Sequence, residues 1–161
     1  MKDAFEKLSE RGWEVKRCRE PKTLPNDVSE RYTWLPSDVL SVLGRIENAF
    51  SPDETSWFNT CALIRGEVEV AFTWDEWERM SLTAAEGFPQ FLLSTRVFWD
   101  NHFPFFMSVK SGYAFAAVRR DFKIVVGEEL EFEETDDVVA DDFTQFLNLL
   151  VDGDKRLDRW V

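Results

Sequence analysis

Between Phe103 and Leu150 the apolar residues change their repeat, and few folds accept that change. Phe103 to Val109 and Tyr113 to Val118 are compact apolar runs of strand length. Ser111-Gly112 lies between them as a hairpin signal, because Gly takes a positive φ cheaply. Arg120-Asp121 turns the chain again into a third run, Phe122 to Val126. Farther on, from Val138 to Val151, the pattern becomes helical, with Val139, Phe143, Phe146, Leu147 and Leu150 on one face. Three strands with short connections predict an antiparallel meander, and the helix needs an apolar surface to cover. The fold class expected is therefore α+β: one domain over 1–161, a mainly antiparallel sheet covered by helices.

The preceding part of the chain fits that frame. Asp3 to Arg11 reads as a short helix with Phe5 and Leu8 on one face and Gly12 as its stop. Trp13 to Arg19 alternates like a strand, and residues 1–33 form an N-terminal helix, strand and connecting segment. Leu24-Pro25-Asn26-Asp27-Val28 and Leu35-Pro36-Ser37-Asp38-Val39 share an LPxDV pattern. Proline in a first helical turn loses no hydrogen bond, and an acid there complements the dipole. Both are read as helix starts, the second running to about Ala49. Trp57 to Ile64 reads as a strand, and Val68, Val70 and Phe72 alternate with polar residues as a second. Asp75 to Ala85 and Phe88 to Asp100 read as helices, and 152–161 as a polar tail that frays.

Composition narrows the function classes. The chain carries 31 acids and 19 bases among 161 residues, a net charge of −12. Nucleic acid and anionic membrane surfaces both call for Lys and Arg patches, so neither is an expected partner. MKDAFEKLSERGW lacks the apolar core of a secretory signal, and no apolar run approaches a membrane span. Cys18 and Cys61 are far apart and lack CxxC spacing, which suits reduced thiols in a cytoplasmic protein.

The excess charge is local. Nine carboxylates and no Lys or Arg fall between Glu128 and Asp142; outside that block 22 acids face 19 bases. Asp136 and Asp137 precede a helical pattern and fit a dipole role. That role does not cover Glu128, Glu129, Glu131, Glu133 and Glu134. A field concentrated this way points to a positively charged partner. The candidate partner-binding residues are therefore Glu128, Glu129, Glu131, Glu133, Glu134, Asp136 and Asp137.

Several fragments, in order, resemble the SUKH superfamily, the Smi/Knr group of cell-wall-synthesis regulators and bacterial immunity proteins. They are Trp34-Leu35-Pro36-Ser37-Asp38, Trp57-Phe58, Phe72-Thr73-Trp74-Asp75-Glu76, Phe98-Trp99-Asp100-Asn101-His102 and Pro104-Phe105-Phe106. Gly112-Tyr113-Ala114-Phe115-Ala116, the Gly127 to Glu134 stretch and Val139 to Leu147 complete the series, from about Leu35 to Leu150. Leu130 departs from the family pattern, which often has Pro at that point. The resemblance implies an α+β fold and a protein that works by binding other proteins, in bacteria often a toxin.

Chemical motifs are sparse. His102 is the only histidine, beside Asp100, and no GxSxG nucleophile motif accompanies it. HExxH, DxDxDG and Cys/His spacings are missing, and Gly66, Gly112 and Gly127 stand alone, so neither a metal, a cofactor nor a phosphate loop is expected. Glu131, Glu133 and Glu134 form a like-charged group suited to a solvated or partner-binding face. A general acid would instead need one carboxyl in a dry pocket. Three readings follow: an immunity protein that neutralises a basic toxin domain, a regulatory or scaffold domain for an endogenous protein, and a small hydrolase around His102. The first is preferred, with no catalytic residue assigned.

Overall fold

A computed structural model describes residues 3–129, 131–134 and 137–161. Among these residues, seven strands form one antiparallel sheet in which every neighbour in sequence is a neighbour in space. The strands are β1 (Glu14–Arg17), β2 (Ile46–Phe50), β3 (Ser56–Phe58), β4 (His102–Ser108), β5 (Ala114–Arg119), β6 (Ile124–Glu128) and β7 (Asp137–Ala140). The helices are α1 (Ala4–Glu10), α2 (Asn26–Arg31), α3 (Ser37–Arg45), α4 (Cys61–Ile64), α5 (Glu76–Ala84), α6 (Pro89–Asp100) and α7 (Phe143–Asp152). Short 3-10 turns occupy Phe132–Glu134 and Lys155–Leu157. The α+β meander expected from the sequence is the observed architecture, extended from three strands to seven.

Both faces of the sheet are covered. Phe106, Ala116, Val118, Ile124 and Val126 turn to a core completed by Phe5, Leu8, Leu43, Phe143, Phe146 and Leu150. Met107, Phe115, Ala117 and Val125 turn to a second core with Trp57, Trp77, Trp99 and Phe132. Strands buried on both faces have no polar alternation to keep, which is why β4 reads as an unbroken apolar run. Pro104 is accommodated by a bulge: it pairs with Ala117, and Phe106 already pairs with Ala116. Asn59 satisfies the disturbed backbone. Its N–H donates to the Phe105 carbonyl at 2.8 Å, and its side-chain amide donates to the Pro104 carbonyl at 2.8 Å. The bulge puts Phe105 and Phe106 in the same core, where both meet α7.

Local chemistry sets several boundaries. Asp3 and Glu6 cap α1 reciprocally, each carboxylate accepting the other's backbone N–H. Asp142 caps α7 by accepting the Gln145 N–H at 2.7 Å, and Gly153 closes it in the left-handed conformation at φ 66°. Pro25 and Pro36 both stand at N-cap positions, one residue before the helical turn assigned to them from sequence.

Five readings are corrected. The helix read to Ala49 ends at Arg45, and Ile46–Phe50 is β2, paired with both β1 and β3. The strand read over Trp57 to Ile64 is β3 followed by α4, because Thr60 caps a helix by accepting the Leu63 N–H. Val68 to Phe72 is irregular; its apolar residues alternate because they line the second core from one side. Val138 to Ala140 belongs to β7, and the last helix starts only at Phe143. The closing segment, read as a tail that frays, lies back on the sheet. Leu157 is buried, and the Trp160 carbonyl accepts the Ser108 hydroxyl at 2.8 Å. Leu130, where the chain departs from the SUKH pattern, lies outside the described residues. No helix among the described residues is long and apolar enough to cross a membrane.

Candidate functional site

The acidic segment leaves the end of β6, passes through the Phe132–Glu134 turn and returns as β7. Phe132 anchors the turn, buried and parallel to Trp77 with ring centroids 6.0 Å apart. This anchor holds the neighbouring carboxylates on a defined surface.

The carboxylates divide into two groups. Glu128 and Glu133 are half-buried and take indole N–H groups: Trp160 donates to Glu128 at 2.8 Å, and Trp99 donates to Glu133 at 2.8 Å. Arg159 also pairs with Glu128 at 3.1 Å. Glu129 is exposed and accepts the Tyr113 backbone N–H at 3.2 Å. Glu131, Glu134 and Asp137 are exposed. Asp136 lies outside the described residues. Part of the charge density thus closes the fold, and the remainder faces solvent. Asp141 pairs with Lys123 at 3.0 Å and Asp142 caps α7, so these two acids have local roles.

Beside this edge stands the α5–α6 hairpin. The acidic turn packs on α6, and the Trp99–Glu133 bond joins them. A clamp from α2 fixes the base of the hairpin. The Arg31 guanidinium donates to both oxygens of Glu78 on α5, at 2.8 Å each, and to Asp100 on α6 at 2.7 Å. The Tyr32 hydroxyl donates to the Trp99 carbonyl at 2.9 Å, and the Trp77 indole donates to the Ala114 carbonyl at 2.9 Å. Sequence reasoning missed this clamp; Arg31, Glu78 and Asp100 share no local spacing.

The clamp carries a stability prediction. Arg31→Met leaves the buried Glu78 carboxylate without its fork. A fully buried pair broken in this way costs about 3–5 kcal/mol, and partial exposure of Arg31 lowers that to about 2–3 kcal/mol. Urea unfolding of the variant measures it; a loss below about 0.5 kcal/mol would mean that solvent already screens the pair.

The groups considered for catalysis have structural surroundings. His102 is buried, its ring stacked on Phe98 at 3.9 Å between centroids. Its Nδ1 lies 2.7 Å from the Phe98 carbonyl, so Nδ1 carries the proton and donates it there. Burial pushes the Cys61 thiol up to about 11, reinforced by Cys18, so at neutral pH it is protonated and a poor nucleophile. Burial also raises Cys18. Among the described residues, no group of three or more His, Cys, Asp and Glu side chains is placed to hold a metal ion.

Compared with known proteins, the chain matches no family model, no curated protein and no solved structure.

Proposed function

We propose that this chain is a non-enzymatic binding protein, an immunity protein of the SUKH type that neutralises a cognate bacterial toxin in the cytoplasm. The observation that carries the reading is the acidic edge, where Glu129, Glu131, Glu134 and Asp137 are exposed on and to either side of a turn anchored by Phe132. A toxin that acts on nucleic acid must present a basic surface to phosphates. An acidic edge steers encounter with that surface and occupies it. The ordered fragments that resemble the SUKH superfamily supply the class of protein, and charge supplies the chemistry of the partner.

Co-expression with the products of the neighbouring genes, one of which the reading requires to be a toxin, tests it. Wild type restores growth and binds the toxin with fixed stoichiometry. Absence of binding to any neighbouring gene product moves the assignment to an endogenous protein partner.

The non-enzymatic part has its own test. His102→Gln removes the imidazole, and toxin neutralisation stays within a few-fold of wild type. A folded His102→Gln protein that still binds the toxin but no longer protects would assign His102 a chemical role and contradict the reading.

A further inference from the structure

A groove of about 730 Å³ lies between α2 and α3, and none of the roles assigned above uses it. One wall is a single helix face: Ser37, Leu40, Ser41, Gly44 and Arg45 recur along α3 at alternating steps of three and one. Asn26 and Ser29 supply the α2 side, and the strap of residues 21–24 supplies a third wall. Leu24, Tyr32 and Cys61 line the groove and also belong to the main core. The strap is pinned where it crosses α3. The Lys22 N–H donates to the Gly44 carbonyl at 2.7 Å, and a Cβ on residue 44 would collide with the Lys22 carbonyl oxygen. Glycine lets strap and helix meet this closely, so the groove is held open before any ligand arrives and binding there orders little.

Charge selects the occupant. The chain carries −12 overall, yet no carboxylate stands among the described lining residues. Asp27, Glu30 and Asp38 lie on the same two helices and do not line the groove. Its charged residues are Lys22 and Arg45. Lys22 pairs with Glu67 at 3.0 Å, whereas the Arg45 guanidinium makes no ion pair or hydrogen bond among the described residues. Arg45 also borders a neighbouring groove that holds Asp3, but that carboxylate is taken by Arg17 at 2.6 Å and by the Glu6 N–H. Ser41 stands one turn before Arg45 on the same face, so its hydroxyl and the guanidinium can share one anion. The rest of the lining is mainly apolar, with Leu24, Leu40 and Tyr32, whose hydroxyl is spent on the Trp99 carbonyl. From Ser37 to Arg45 the trough runs about 12 Å along the helix axis. A bare inorganic anion would leave that trough unfilled, and a polyanion would find one available cation. The volume falls within the range of small-ligand sites, about 300–1,000 Å³.

We propose that this groove binds a free small-molecule monocarboxylate, with its carboxylate on Arg45 and Ser41 and its apolar body against Leu40 and Leu24. The site shares no lining residue with the acidic edge and stands independently of the binding-protein reading. Burial of the apolar body supplies the affinity, and Arg45 sets the choice of head group.

Octanoate is the probe, and octanol is its uncharged match. Amide-resolved NMR follows wild type through both titrations. Octanoate should shift the amides of Thr23, Ser41, Gly44 and Arg45 and bind about tenfold more tightly than octanol. Arg45→Gln should weaken octanoate about tenfold, to the level of octanol, and leave octanol unchanged. Ser29→Trp, which fills the groove from α2, should abolish binding of both. Unchanged amide positions away from the groove confirm that each variant is folded. If Ser29→Trp does not fold, the two probes on wild type and Arg45→Gln still decide. Absence of any shift in the groove at millimolar octanoate would overturn the site. Shifts confined to α6, where Leu93 and Val97 are exposed, would overturn it too. Equal affinities of wild type for octanoate and octanol, or an Arg45→Gln protein that binds octanoate like wild type, would overturn the carboxylate assignment.

Discussion

Phe146→Ala should lower the unfolding free energy by about 3–5 kcal/mol, the usual cost of deleting a buried ring. Phe146 is 1% exposed on the inner face of α7. Its ring meets Phe105 edge-on at 5.1 Å and Phe106 at 5.8 Å between centroids. Both partners stand in β4, where the bulge at Pro104 turns consecutive residues to the same core. Because β4 is paired on both sides and covered on both faces, the cavity cannot close by a simple shift of one strand. The same truncation also removes an edge-to-face contact worth about 0.5–1.5 kcal/mol beyond area burial. Chemical denaturation gives the number directly. A loss below about 0.5 kcal/mol would place the ring in solvent and contradict the packing of α7 on the sheet.

The centre of this fold was legible because its strands are buried on both sides. Phe103 to Val126 has little polar alternation to confuse it, and Gly112 marks its first turn. The α7 face was legible for a related reason: Phe143, Phe146, Leu147 and Leu150 are all buried, at helical spacing. Errors arose where two periods share the same residues. Val42, Leu43 and Ile46 continue a helical stripe, but Ile46 is the first residue of β2, fixed by strand partners that lie elsewhere in the sequence. Val138 to Ala140 looked helical because it adjoins a real amphipathic helix, and pairing with β6 makes it a strand. Val68, Val70 and Phe72 alternate as a strand would, since an irregular segment lying on a core also buries one side.

Legibility of the candidate site was also partial. The density of acids was visible, but their division of labour was not. Trp99 and Trp160, 34 and 32 residues from their acceptors, decide that Glu133 and Glu128 work inside the fold. The Arg31 clamp was hidden by distance along the chain, since Arg31 meets Glu78 and Asp100 across 47 and 69 residues.

The second large effect is kinetic. Charge reversal at exposed carboxylates changes association more than stability, because surface substitutions usually shift folding by only about 0.5 kcal/mol. Glu133 is unsuitable for this purpose: a Lys there would strand the Trp99 indole N–H, and a loss of binding could then reflect a loosened hairpin. Glu131, Glu134 and Asp137 are exposed and avoid that ambiguity. Association through such groups weakens with salt, since charges beyond about 10 Å are largely screened at 0.1 M ionic strength.

The measurement that tests the central claim most directly is stopped-flow association between this protein and the product of a neighbouring gene that is toxic to cells, across a salt series. Wild type should associate fast at low salt and slow steeply as salt rises. Glu131→Lys/Glu134→Lys/Asp137→Lys should associate about tenfold or more slowly at low salt, with a weakened salt dependence, and should fail to protect cells that express the toxin. Identical rates for wild type and the reversed variant at every salt concentration, together with full protection by the variant, would contradict the account.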